Sequence, residues 1–274
     1  NSTLRGSGTV EVTQQFHWIN GAIRGTGALT IAAAATLDVS GNTHTLDGWT
    51  LNNAGTTVWT GGDVLVVNDA VINNESDSLW EIQSDAGMSG QGTFNNSGLM
   101  RKTSGAGTAE FLLIYNNYGV VEVQSGELIL RGGGTSTGSY FGALGTTLGL
   151  WGSHTLTGSS SIIGDTVNLF AGFWEGPMII GGTYSASGGT TVGGGGDYNG
   201  QTSFTGPVLS VGNTLTINGT ADFGANSIST GVLDISLGSN STLRGSGTVE
   251  VTQQFHWTNG AIRGTGALTI AAAA

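Results

Sequence analysis

A short repeat of asparagine pairs constrains the fold of this chain more than any other feature of its sequence. Four pairs follow one another at spacings of 21, 22 and 21 residues: Asn52-Asn53, Asn73-Asn74, Asn95-Asn96 and Asn116-Asn117. A large apolar residue precedes each pair, and a second apolar patch follows it. A regular interval of this length is typical of solenoids, in which each interval is one turn of the chain.

A second, much longer repeat encloses the short one. Residues 1–35 recur at 240–274 with a single change, from Ile19 to Thr258, so the offset is 239 residues. Near-identity over 35 positions indicates a tandem array. We therefore predict that residues 1–239 form one superrepeat and that residues 240–274 begin the next. The long period holds about 11 of the short ones, as expected for turns nested within a superrepeat.

The segments between the turn-like clusters have the pattern of β-strands. Val10 and Val12, like Leu215 and Ile217, alternate with polar residues, which is the period of a strand with one buried face. Clusters of Gly, Ser, Asn and Thr, typical of turns, separate these segments. Helical patterns are missing, and we interpret the alanine run Ala32–Ala35 as a tight corner. The sequence therefore predicts an all-β chain.

A parallel β-solenoid accommodates a strand repeat of 21–22 residues. One turn of two or three short strands takes about that length, and successive turns stack about 4.7–4.8 Å apart. We predict a right-handed solenoid, from the usual chirality of crossovers, with about 11 turns in a superrepeat on the order of 50 Å long. A β-propeller with blades of about 43 residues is the alternative, disfavoured because Asn-Gly hairpin signals are sparse.

Stacking of identical turns gives the first asparagine of each pair a structural role. Side chains at equivalent positions align in columns, and asparagine amides can then hydrogen-bond along the stack. We predict such a ladder, placed at a turn where asparagine tolerates positive φ, formed by Asn52, Asn73, Asn95 and Asn116. By the same argument Trp59 and Trp80, 21 residues apart, are predicted to share one buried column.

The charge composition excludes several classes of partner. The net charge is −11, with only seven basic residues, so the chain lacks the basic stripe that nucleic acids require. An anionic membrane surface would repel it, and no apolar run approaches the 18 residues of a membrane span. Cysteine is absent, which excludes disulfides and thiolate metal sites. We predict no nucleic-acid partner, no membrane insertion and no cofactor.

The search for chemistry yields no predicted catalytic, cofactor-binding or metal-binding residue. His17 lies between two aromatic residues on a strand pattern and is predicted to point outward. The segment Gly193–Tyr198 is faintly similar to a calcium-binding glycine-rich repeat, which needs several consecutive copies. An acidic set could serve a lyase or glycosidase if paired or holding calcium, but we interpret it as a solvated face: Asp63, Asp69, Glu75, Asp77, Glu81 and Asp85, with Arg101 and Lys102 nearby. Asp63 and Asp85 are predicted to lie almost in register.

Several segments resemble strand repeats of very large bacterial surface and secreted proteins. They are GQGTFNNSGLMRKTSGAGTAEF (Gly90–Phe111), YNNYGVVEVQSGELILRGGGTSTGSY (Tyr115–Tyr140) and HTLDGWTLNNAGTTVWTGGDVLVVNDAVINN (His44–Asn74). Such proteins are adhesin-like, and the resemblance implies a β-helix of the filamentous-haemagglutinin-like or pectate-lyase-like class. The similarity covers about the first 140 residues and the last 40, and it brings no catalytic residues with it.

These observations predict a structural rather than an enzymatic role. We expect a repeat unit of an extracellular or cell-surface bacterial rod or filament, whose partner is the same protein, head to tail. Exposed strand edges at the ends of a solenoid recruit further strands, through covalent continuation or polymerisation. Two alternatives stay open: an adhesin module whose tryptophans bind surface glycans, and a β-helix polysaccharide lyase or glycosidase.

Overall fold

The chain is an all-β parallel solenoid of about 12 turns in the computed structural model. The predicted fold class is therefore confirmed. Two compact units make it up, Asn1–Gly134 and Thr135–Ala274. The structure describes residues 2–172, 176–193, 200–235 and 241–272. The predicted boundary between residues 239 and 240 lies outside these ranges and stays a prediction, and most of the run Gly193–Tyr198 also lies outside them.

Each turn of the first unit contributes three short strands, most of them four residues long. They are β1 (Thr3–Gly6), β2 (Thr9–Val12), β3 (Gln15–Trp18), β4 (Gly21–Gly25), β5 (Ala28–Ile31), β6 (Thr36–Val39), β7 (Thr43–Asp47), β8 (Thr50–Asn53), β9 (Thr56–Trp59), β10 (Asp63–Val67), β11 (Val71–Asn74), β12 (Leu79–Ile82), β13 (Met88–Gly90), β14 (Thr93–Asn96), β15 (Leu99–Lys102), β16 (Thr108–Phe111), β17 (Ile114–Asn117), β18 (Val120–Val123) and β19 (Glu127–Leu130). Strand β20 (Gly134–Ser136) begins at the last residue of this unit.

Strands three apart in the chain pair in parallel, so this unit has three stacks with one strand per turn. In one stack Leu51, Ile72 and Phe94 are register partners on β8, β11 and β14. The alternation of polar and apolar residues buries every second side chain of most of these strands. The alternation in the sequence thus gives each of the three strand stacks one inward-facing surface, and these surfaces enclose one core.

Glycine is required where the corner of one turn presses on the turn below. A Cβ atom at Gly119 would lie 2.1 Å from the carbonyl oxygen of Gly98, a separation that no side chain tolerates. The alanine run also forms a corner, as predicted, with the Ala35 N–H donating to the Ala32 carbonyl at 2.8 Å. Small residues at the corners therefore allow the close stacking of the turns.

Five aromatic side chains fill the core of the first unit where the asparagine pairs occur. Phe94 lies at their centre, stacked on Tyr115 with ring centroids 5.3 Å apart and in edge contact with Trp80 and Phe111 at 5.1 and 5.7 Å. Trp59 extends the cluster through Phe111 at 5.9 Å. All five are essentially inaccessible to solvent, and edge-to-face and stacked pairs add to the stability that burial provides.

Trp59 and Trp80 are both buried, as predicted, but the prediction that they share one column is wrong. Trp59 is the register partner of Ile82, and Trp80 is the partner of Thr57. The corner before β12 contains Asp77, whose backbone has a φ of 65°. Because this corner is longer than the one before β9, β12 is displaced by two residues relative to an exact 21-residue interval.

The described part of the second unit combines four long strands, of eight to ten residues, with short ones. They are β21 (Ser139–Gly142), β22 (Thr147–Trp151), β23 (His154–Leu156), β24 (Ser161–Phe170), β25 (Met178–Ile180), β26 (Thr183–Val192), β27 (Gln201–Phe204), β28 (Val208–Val211), β29 (Thr214–Ile217), β30 (Thr220–Asp222), β31 (Ile228–Ile235), β32 (Thr242–Gly245), β33 (Val249–Trp257), β34 (Ala261–Gly264) and β35 (Leu268–Ile270). Strands β24 and β26, each ten residues long, pair in parallel with a register shift after Gly164. Strand β24 pairs with both β21 and β22 of the preceding turn, so two strands of one turn correspond to a single long strand, with a bulge, in the next.

The core of the second unit repeats the aromatic packing of the first. Phe204 and Phe223 stack with centroids 4.5 Å apart and planes 9° apart, and Tyr184 contacts Phe204 edge-on at 5.1 Å. The Tyr184 hydroxyl lies 2.7 Å from the Thr190 hydroxyl. Complete burial raises the pKa of Tyr184 far above its usual value, although that hydrogen bond opposes the shift. The phenol is therefore a neutral core side chain.

Truncation of the central aromatic residue tests this description of the core. Phe94→Ala is expected to lower the free energy of unfolding by about 3–5 kcal/mol, because it removes a buried ring and leaves a cavity. Tyr118→Ala is the matched control, since the Tyr118 side chain is half exposed and its loss should change stability by about 0.5 kcal/mol or less. Urea unfolding followed by circular dichroism measures both. Equal effects would contradict the packing described.

Candidate functional site

The four asparagines predicted to form a ladder are hydrogen-bonded to one another in the structure. The side-chain amide of Asn73 donates to Asn52 Oδ1 at 2.8 Å, Asn95 donates to Asn73 at 2.9 Å, and Asn116 donates to Asn95 at 2.9 Å. Each is the third residue of a strand, so its predicted place at a turn with positive φ is wrong. The outer ladder, as we call these four residues, therefore stabilises the strand stack.

A second ladder, which sequence reasoning missed, runs inside the core. Asn53 donates to Asn74 Oδ1 at 2.8 Å, Asn74 donates to Asn96 at 2.8 Å, and Asn96 donates to Asn117 at 2.9 Å. These four residues, the inner ladder, are completely buried. The signal was present in the sequence, because adjacent residues of a strand point to opposite faces, so a pair of asparagines implies one ladder on each face.

The two ladders donate in opposite directions along the chain. In the outer ladder each amide donates to the preceding turn, and in the inner ladder each donates to the following turn. The inner ladder begins at Asn53, whose register partner on the turn below is Ile31. Among the described residues Asn53 Oδ1 has no hydrogen-bond partner. The amides of each rung are therefore satisfied by the next rung, as buried polar groups must be.

The acidic residues of the sequence are dispersed over structural roles. Asp69 and Asp77 occupy corners with positive φ, Glu75 accepts corner hydrogen bonds through its backbone carbonyl, and Glu81 lies 3.4 Å from Arg101. Asp63 accepts a hydrogen bond from the Gly87 N–H at 2.9 Å. Each carboxylate thus contacts its own partner or occupies a turn.

The predicted register of Asp63 with Asp85 is wrong. Strand β13, in the turn above Asp63, begins at Met88, which is the register partner of Val64. Asp85 lies in the corner before β13. Both carboxylates line a shallow cavity of about 270 Å³, together with Glu110. Glu110 is paired with Arg131 at 2.6 Å, so each of these acids has a separate protein partner.

Lys102 is a buried cation, and no pattern in the sequence predicts its burial. Its side chain is inaccessible to solvent, and Nζ donates to Asp85 Oδ1 at 2.8 Å and to the carbonyl oxygens of Ser104 and Gly105 at 2.8 and 2.9 Å. These bonds use all three donors of the ammonium group. The hydrogen bond from Lys102 holds the pKa of the Asp85 carboxyl below its usual value, with a further contribution from the Gly107 N–H and partial burial opposing it.

The tryptophans of the first unit supply no open platform. Four of its tryptophans are buried, with exposures of 5 % or less: Trp18, Trp49, Trp59 and Trp80. His17 points outward, as predicted, with Nδ1 2.9 Å from Asp38. In the second unit Trp151 is half-buried and Trp257 is 53 % exposed, while Trp174 lies outside the described residues.

The two copies of the repeated segment keep the same internal pairing. In the first copy Arg5 pairs with Arg24 and Gly6 with Gly25, and in the second Arg244 pairs with Arg263 and Gly245 with Gly264. The segment therefore forms the same 19-residue turn in both units. What differs is its surroundings, because strands of a neighbouring turn cover one side of each copy only. The uncovered strands of the second copy, β34 and β35, are called the terminal edge below.

Comparisons with known proteins give no family for this chain: no family model, no curated protein and no solved structure matches it. Within the described ranges, no group of three His, Asp or Glu side chains is placed to hold a metal ion. No helix in the same ranges is long and apolar enough to cross a membrane. The ladders, the buried lysine and the terminal edge are therefore the features on which a functional proposal depends.

The inner ladder is expected to contribute more stability than the outer one. Asn74→Ala removes a rung at which Asn53, Asn96 and Ser78 all bond, and it should lower the free energy of unfolding by about 1–3 kcal/mol, because buried polar groups lose their partners. Asn73→Ala, on the adjacent outer position, is the matched control and should cost less, since water replaces the lost bonds. Urea titration measures both, and an equal or reversed order would contradict this assignment.

The Asp85–Lys102 pair predicts a pH dependence of stability. A carboxyl whose pKa is lower in the folded state stabilises the fold above its unfolded pKa of about 3.9, and this stabilisation is lost as the pH falls through the folded value. Asp85→Asn should therefore be less stable than the natural chain at pH 7, with a gap that narrows below about pH 4. A double-mutant cycle with Lys102→Met is the control, because the gap should shrink in that background. A gap independent of pH would contradict the prediction.

Proposed function

We propose that this chain is the repeat unit of a bacterial filament outside the cell, in which superrepeats stack end to end as one solenoid. The observation that carries the proposal is the complementary exposure of the two copies of the repeated segment. Each copy has on one side the neighbouring turn that the other copy lacks. Together they define a complete set of neighbours for the segment, which is what a continuing array provides.

The turn that precedes the repeated segment is seen in the second unit. There Val249 and Val251 are buried, at 9 % and 0 % exposure, because they pair with Ile228 and Thr230 of the turn before. The equivalent Val10 of the first copy is 37 % exposed. The same apolar side chain is thus core in one context and surface in the other, and a turn stacked before β2 would bury it.

The turn that follows the repeated segment is seen in the first unit. Ile31 is completely buried beneath the turn that carries Asn53, and Trp18 is 5 % exposed, with His44 of the next turn against its ring at 5.1 Å. Their equivalents Ile270 and Trp257 are 46 % and 53 % exposed. Inward-facing residues left open on a sheet edge favour the addition of strands.

Composition and resemblance support a location outside the cell. Only 9 % of residues are charged, and the chain is rich in Thr, Ser, Asn and Gly. The resemblance to repeats of large adhesin-like surface proteins points the same way. A structural rather than enzymatic role is proposed because the carboxylates that could serve a hydrolase or lyase are engaged by neighbouring residues, as described for Asp63, Asp85 and Glu110. No specific observation favours glycan binding, since most described tryptophans are buried.

Three chains test the proposal. They contain one, two or three copies of residues 1–239 in tandem, and each chain ends with residues 240–274. Small-angle scattering and cryo-microscopy should show one continuous particle that lengthens by about 50 Å with each added copy, at about 4.8 Å per turn. The control is the two-copy chain with proline in place of Leu29 of the second copy, the residue equivalent to Leu268. Proline there removes a hydrogen bond from the strand at the junction. Copies that form separate beads without this substitution would overturn the proposal.

A further inference from the structure

A cavity of about 300 Å³ opens beside the terminal edge in the second unit. Its walls are mostly backbone and aliphatic groups, with four glycines at the corners of two successive turns: Gly245, Gly247, Gly264 and Gly266. Leu243 and Ile262 contribute apolar walls, and Arg263, Phe223 and Asn226 also line the cavity. The glycine side of this slot admits a flat side chain, because glycine has no Cβ atom to project into it.

The first copy of the segment has the same slot, and there it is filled. The equivalent residues are Gly6, Gly8, Gly25 and Gly27. The indole of Trp49, from the following turn, lies against Gly6, Gly25 and Gly27, and its Nε1–H donates to the Gly6 carbonyl oxygen at 3.1 Å. A Cβ atom at Gly27 would lie 2.7 Å from Trp49 Cζ2. Glycine at this position is required both by the ring and by the Gly8 carbonyl oxygen, which would lie 2.4 Å from that Cβ atom, and Trp49 is only 1 % exposed.

The backbone of the slot is the same in both copies. The φ angles are 156° at Gly6 and 153° at Gly245, and 125° at Gly25 and 122° at Gly264. The carbonyl oxygen that accepts the indole hydrogen bond in the first copy thus has an equivalent on Gly245, within a turn of the same conformation. The slot in the second unit is already formed without its occupant.

We infer that the slot at the terminal edge is a tryptophan-binding site, and that its occupant is the segment Thr43–Asn53 of the following superrepeat. The inference rests on the proposed function, which supplies that superrepeat. In the first unit the segment pairs with β4 and β5 through Ala22–Thr45 and Leu29–Leu51. The same segment placed on β34 and β35 extends both strands in parallel, and its tryptophan enters the slot.

Charge complementarity fixes the same register. In the first unit Arg24 is the register partner of Asp47, with Arg24 Nε 3.8 Å from the Asp47 carboxylate. Arg263 is the equivalent of Arg24 and lines the open slot. The incoming segment has the sequence Leu-Asp-Gly-Trp, so its aspartate meets Arg263 when its tryptophan is seated. Strand addition supplies affinity, and the indole anchor and the ion pair supply specificity.

Disulfide capture of a synthetic peptide tests this site on the full chain. The chain has no cysteine, so Ala261→Cys introduces a single thiol at the position equivalent to Ala22. The probe is the peptide THTLDGWTLNN, residues 43–53, with Thr45→Cys, which the register places opposite that thiol. We expect capture at least about tenfold greater than for the same peptide with Trp49→Ala, since a buried aromatic anchor dominates such binding. Only the peptide differs between the two reactions, so folding of the protein does not affect the comparison.

A peptide with the cysteine moved to Leu46 controls for register, and it should be captured poorly because that side chain points inward. Equal capture of the tryptophan and alanine peptides, or capture of neither, overturns the site. The result is separable from that of the filament experiment. Tandem chains that form one particle while capture ignores the tryptophan would refute the slot alone, and tryptophan-dependent capture with separate beads would refute the filament alone.

Discussion

Parallel stacking of one turn on the next, at the spacing of a β-sheet, is the constraint from which the other features of this structure follow. It satisfies the backbone hydrogen bonds between turns, and it also sets like side chains above one another. A side chain therefore persists in a column only if it tolerates its own kind as a neighbour. Aliphatic and aromatic groups do so by packing, and amides do so because each is both a donor and an acceptor.

The inner ladder shows how strongly this constraint acts. Its column is apolar in the first turns, with Val12 and then Ile31, and changes to asparagine from Asn53 onward. An isolated buried amide would be costly, yet four in succession are accommodated because each satisfies the next. Lys102 meets the same requirement differently, since its ammonium group closes a corner by bonding Asp85 and two carbonyl oxygens. Asn74 and Lys102 thus represent two ways of satisfying a buried polar group in this fold, along the stack and within a corner.

The sequence predicts the parts of the structure that repeat and fails at those that depend on corner length. The interval between asparagine pairs indicates the solenoid, and the alternation of apolar residues places its inward faces. The relation between Trp59 and Trp80 could not be obtained in this way, because the corner containing Asp77 adds two residues on one stack and not on another. The contact between Lys102 and Asp85 depends on a corner of irregular shape. The glycines of the slot cannot be told from other turn glycines in the sequence, and their contacts with Trp49 identify them only in the structure.

The unpaired oxygen of Asn53 has a consequence for how such columns evolve. Its cost is incurred once, at the first rung, and does not grow as rungs are added above it. Each further asparagine contributes a bond and shares that fixed penalty among more members. Long uninterrupted runs are therefore favoured over scattered single substitutions, and duplication of whole turns is an easier route to such a column than point mutation.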